Sequence, residues 1–85
     1  MDNQTEDERR LVEVQSRNLS DRLVTELVYL RKSKKLTQQD IADMTGMQRA
    51  NVARIEGKRY TPTIEVLLKY ASCLGMELDF ILKEK

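Results

Sequence analysis

Between Gln38 and Ile55 the chain sets a small residue, a glycine and two branched apolar residues at fixed intervals, and few folds can accommodate that spacing. Ala42 sits in the middle of one short helical run, where a second helix crossing near a right angle needs close backbone approach. Four residues later, Gly46 can take the positive φ of a sharp turn, which other residues adopt only at a cost. Val52 follows six residues on and Ile55 three beyond it, forming one face of a second helix turned back onto Ile41 and Ala42. With apolar Ile41 and Met47 in register, this is helix-turn-helix spacing, and the chain is expected to read duplex DNA. An ordinary helical hairpin is the alternative that spacing alone leaves open.

Charge has to be divided along the chain before it informs. The formal net charge of the 85 residues is only +1. Residues 1–13 carry −3, residues 14–62 carry +5 and residues 63–85 carry −1, so positive charge collects where the motif lies. That segregation suits a polyanion on one face. Three glycines, one proline and four aromatics fit a small helical domain with one core. No apolar run approaches the roughly 20 residues needed to cross a bilayer and no signal-peptide pattern opens the chain, so a soluble cytoplasmic protein without a membrane role is expected. Cys73, the one cysteine, reads as a core residue, and with no histidine and no cysteine pair a structural zinc site is excluded and no metal is expected. The usual nucleophile and general-base constellations are missing, so no catalytic residue, enzyme activity or cofactor is expected.

Along the chain, residues 1–19 read as an N-terminal arm, partly disordered or helical, with residues 2–10 loose or frayed. Ser20 is the expected N-cap of the first core helix, whose stripe is Leu23, Val24, Leu27 and Leu30, ending near Ser33. Thr37 caps a second helix over about 38–44, with Asp40 three residues on as a weaker capping box. A third helix is expected over about 48–57. Thr61 or Pro62 opens a fourth, with Ile64, Leu67, Leu68, Ala71 and Leu74 on one side and Gly75 ending it. The DNA-binding domain is thus residues 20–75. In the tail, residues 76–85, Leu78, Phe80 and Leu82 alternate with charged residues; a strand is slightly favoured over a short helix.

At 100° per residue, Val52 and Ile55 of the third helix face the core, while Ala50, Ala53, Arg54 and Gly57 face away, flanked by Arg49 and Asn51. Arg49 and Arg54 can fork onto guanine, Gln48 can pair with adenine, and the alanine methyls can meet thymine methyls. The alternative for each arginine is a solvated or phosphate-bound side chain. Lys58, Arg59 and Tyr60 are expected to hold the DNA backbone.

From Ser20 to Leu82 the sequence resembles the lambda repressor, Cro and Xre-like helix-turn-helix family. The residues that carry the likeness are Leu36-Thr37-Gln38-Gln39, Ile41-Ala42, Gly46, Val52, Arg54-Ile55-Glu56, Gly57-Lys58, Pro62 and Leu74-Gly75. The resemblance implies an all-α bundle of four or five helices that binds operator DNA as a homodimer, here with a short C-terminal β-strand in view. It places Gln48, Arg49, Ala50 and Arg54 at base-reading positions and Gln38 and Asn51, with the capping Thr37, at backbone ones. It also pairs Glu56 with Arg31, an ion pair whose role would be orientation. Two departures stand out. The family usually carries one more residue, often Asn, between Glu56 and Gly57, and the tail looks more like that of the HigA- and HipB-type antitoxins. The functions in view are therefore a sequence-specific repressor or an antitoxin that sequesters a toxin protein and represses its own operon.

Overall fold

A computed structural model describes residues 5–85. Its elements are α1 (Glu6–Ser33), α2 (Gln38–Thr45), α3 (Arg49–Glu56) and α4 (Ile64–Cys73), and there is no strand among the described residues. This is the expected all-α class. The core gathers Val24 and Leu27 of α1, Ile41 and Ala42 of α2, Val52 and Ile55 of α3, and Leu67, Tyr70, Ala71 and Leu74 at the end of the chain of helices. No helix among the described residues is long and apolar enough to cross a membrane.

The largest difference from expectation is α1. Ser20 is not a cap; it lies buried in the middle of a 28-residue helix. The cap is Thr5, whose Oγ1 accepts from the Glu8 N–H at 3.2 Å, and Glu6, Asp7 and Glu8 complement the positive end of the helix. No glycine or proline interrupts residues 6–33. A good capping residue therefore meets a helix already under way, and the core-facing stripe continues through it. The expected frayed segment is helical from Glu6 on; its Asp2–Gln4 portion lies outside the described residues.

At the other end, α4 is capped by Thr63, not Thr61 or Pro62; Thr63 Oγ1 accepts from the Val66 N–H at 3.2 Å. Ile64 and Leu68 are exposed, and Tyr70 takes their place in the core. Helical rotation explains it: Leu67, Tyr70, Ala71 and Leu74 cluster within one narrow face, while Ile64 and Leu68 fall to its flank. Gly75 has φ +70, the left-handed value that ends the element there. The tail after it forms neither the favoured strand nor a helix. A strand needs a ladder partner, and a single chain offers residues 76–85 none; Leu78 alone packs against the core.

Candidate nucleic-acid interface

Two short helices and one turn hold the candidate reading surface. The start of α2 is fixed by a reciprocal capping box: Thr37 Oγ1 accepts from the Asp40 N–H at 3.0 Å, and the Thr37 N–H donates to Asp40 Oδ2 at 2.8 Å. At its end Gly46 has φ +78, and the Met47 N–H donates to Thr45 Oγ1 at 3.2 Å. This turn aims α3 across α2. The small Ala42 is buried at the crossing, with Ile41, Val52 and Ile55 almost wholly enclosed around it.

The opposite side of α3 is open. Gln48 takes the N-cap position with extended backbone but makes no capping bond, so its amide is unused. Gln48, Arg49, Ala50 and Arg54 are exposed, Ala53 and Asn51 half-buried. Arg54 stands over the Tyr60 ring, 4.8 Å from its centroid, and the Tyr60 hydroxyl donates to Asn51 Oδ1 at 3.1 Å. A cation over a ring face at this distance is attracted to it without using any of the guanidinium's N–H donors. Tyr60 therefore ties Arg54 to Asn51, a link that no local spacing announces.

The loop after α3 departs from a plain glycine turn. Gly57 keeps an ordinary φ of −77°, and the positive φ, +57°, falls on Lys58. Space at Gly57 is tight instead: a Cβ there would lie 3.2 Å from the Ala53 carbonyl oxygen. Lys58 is held from both ends. Its carbonyl accepts from Arg17 Nη2, and its Nζ donates to Thr25 Oγ1 at 2.5 Å. One of its three ammonium N–H groups thus goes to α1, whereas Arg59 is exposed and unpaired among the described residues.

Behind α3 lies the polar hub that fixes its orientation. Glu56 receives Arg31 Nε and Nη2 at 2.8 Å each, the Tyr70 hydroxyl at 2.6 Å and Gln38 Nε2 at 3.1 Å. The remaining Arg31 nitrogen donates to the Leu36 carbonyl at 2.7 Å. Both charged side chains are about 8–9% exposed. Burial works to raise the Glu56 pKa, but the bonds from Arg31, Tyr70 and Gln38 outweigh it, so the carboxyl titrates below its ordinary value. Arg31 is pushed up, chiefly by its bond to Glu56, and Tyr70 is pushed up by burial and by Glu56 beside it. Residues of all four helices meet on one carboxylate. Tyr70 and Gln38 are its unforeseen members; a tyrosine inside the otherwise apolar stripe of α4 was the available sign of the first.

The helix-turn-helix family pattern matches residues 27–81. Among similar proteins is an immunity repressor of Bacillus phage phi105, 36% identical over 56 residues, which is 66% of this chain and 39% of that protein. An uncharacterized HTH-type transcriptional regulator of Haemophilus influenzae is 30% identical over 69 residues, 81% of this chain and 70% of its own length. A third, an HTH-type transcriptional regulator of Methanocaldococcus jannaschii, is 33% identical over 55 residues, 65% of this chain and 83% of its own. The chain spans well under half of the phage repressor's length. No solved structure matches.

Proposed function

The chain belongs to the helix-turn-helix family, and from that premise we propose that it is a transcriptional repressor that binds operator DNA as a homodimer, with α3 in the major groove. The observation that carries this reading is the outward face of α3. There the Gln48 and Arg49 side chains have no protein partner among the described residues, Arg54 is exposed over the Tyr60 ring, and the alanine at position 50 lets the backbone come close. Arg49 and Arg54 are assigned to guanine edges, Gln48 to adenine and Ala50 to a thymine methyl. Thr37 retains its hydroxyl proton and Gln38 a second amide N–H after their bonds to the protein, so both can still donate to phosphate beside Asn51, Arg59 and Tyr60. Lys58 keeps two ammonium N–H donors after its bond to Thr25, so it too can reach phosphate. The names of the relatives, a repressor and two regulators, point the same way.

Competition of labelled genomic fragments against random duplex at two salt concentrations tests the proposal. One set of fragments should win, and affinity should fall steeply with salt, as release of several phosphate-bound counterions requires. If no fragment outcompetes random duplex, the regulator reading fails. Within it, Arg49→Ala should cost about 1–3 kcal/mol and relax selection at one base pair. Asn51→Ala should weaken all sequences alike. Unchanged base preference in Arg49→Ala would move Arg49 to the backbone.

A further inference from the structure

None of residues 6–19 of α1 is buried, although the helix continues straight through them and at about 42 Å sets the 44 Å length of the molecule. The Arg17 bond to the Lys58 carbonyl and the groove-lining Ser16 and Leu19 tie this half to the bundle, and so lightly held a helix is marginal in water unless something covers it. Val12, Ser16, Leu19 and Leu23 recur at steps of four, three and four, placing them on one strip of α1. Where that strip reaches the bundle it becomes one wall of an apolar groove of about 400 Å³, whose other wall includes Ile64, Leu68 and Phe80. Val12, Leu19, Ile64, Leu68 and Phe80 are 43–77% exposed. The Ser20 hydroxyl, buried and lining the same groove, has no hydrogen-bond partner among the described residues.

We propose that this groove is the homodimer interface: a second copy of the chain lays the projecting half of its α1 along it, antiparallel, with the two Ser16 residues facing each other at the two-fold axis. The proposal rests on the dimeric reading above and gives it a location. Three observations favour a second copy as occupant. Five large apolar side chains stand 43–77% exposed on the strip and the groove wall, and pairing two copies covers ten of them at once, toward the roughly 600 Å² per partner at which specific interfaces begin. The strip and the groove lie along the same helix, so one two-fold operation brings each strip to the other's groove, as an isologous contact requires. Ser16 is the small residue between Val12 and Leu19, where two backbones can approach closely. The groove takes no residue from α2 or α3, so dimerisation and DNA reading do not compete for side chains.

The test uses the full chain with Cys73→Ser as background. Sedimentation without DNA at tens of micromolar should show a dimer, and Leu19→Glu should shift it at least tenfold toward monomer with an unchanged helical signal. Ser16→Cys should form a disulfide-linked dimer under mild oxidation, whereas Asn18→Cys, about 200° away around the helix, should not. Should Leu19→Glu fail to fold, the cysteine pair decides. A monomeric parent chain, or equal cross-linking at both positions, overturns the proposal and leaves the groove to the chain's own tail or to a different protein. Fragment binding measured on the same samples separates the two readings. Cross-linked dimer without DNA selection keeps the interface and sinks the regulator, while selective binding without Ser16→Cys cross-linking does the reverse.

Discussion

The hub around Glu56 and the groove beside Ser20 both draw on α1 and α4, yet they differ in one respect: whether their side chains find partners within the chain. In the hub, both carboxylate oxygens and all three guanidinium nitrogens of Arg31 have partners within the chain. In the groove, large apolar side chains stay open and the Ser20 hydroxyl is buried with nothing to bond among the described residues. A buried ion pair yields little net stability against an apolar substitute, but removing one partner leaves the other charge stranded. The hub therefore resists change, and the groove should accept it. A short core can thus specify its reading helix firmly while leaving a neighbouring surface unfinished.

The sharpest way to break this contrast is Glu56→Ala, which strands Arg31 and Tyr70; chemical denaturation should show a loss of about 3–5 kcal/mol. Glu84→Ala, at an exposed position, should show almost none. Equal effects would mean the hub is no anchor.

A smaller effect is expected with pH. The folded pKa of Glu56 lies below its ordinary value, so its contribution is fully present above about pH 4.3, the unfolded value, and drains away as pH falls through the lower folded value. Glu56→Gln should remove that acid-side loss. A pH–stability profile of the variant that parallels the wild type would assign the loss to other carboxylates.

The smallest effect belongs to the groove. Ile64→Lys, measured dilute enough for the chain to be monomeric, should change folding stability by less than about 0.5 kcal/mol. A loss above about 1 kcal/mol would mean the protomer already uses the groove as core.

Much of the fold could be read from the chain because its cues are local. Ala42, Gly46, Val52 and Ile55 set the α2–α3 crossing through their intervals, and Thr37 with Asp40 marks the α2 start through a bond spanning three residues. Helical rotation alone separated Val52 and Ile55 from exposed Arg49 and Arg54. What could not be read was decided over longer distances. Ser20 has a good capping side chain, but Thr5 had already started the helix fifteen residues earlier. Tyr70 looks like one more apolar residue until Glu56, fourteen positions away, meets its hydroxyl. The contacts of Lys58 with Arg17, 41 residues upstream, and with Thr25 likewise have no sign in its local spacing. The tail's alternation promised a strand, and periodicity cannot supply the neighbour a strand needs.

The division of α3 also bears on how such a chain can change. Val52, Ile55 and Glu56 carry the attachment of the helix to the body, while Gln48, Arg49, Ala50 and Arg54 carry almost none of it. Under the proposed function, substitutions in the second set would change target preference at little cost in stability, so that preference could drift by single steps through proteins that all remain folded. The scaffold and the message are stored in separate letters of one eight-residue helix and its cap.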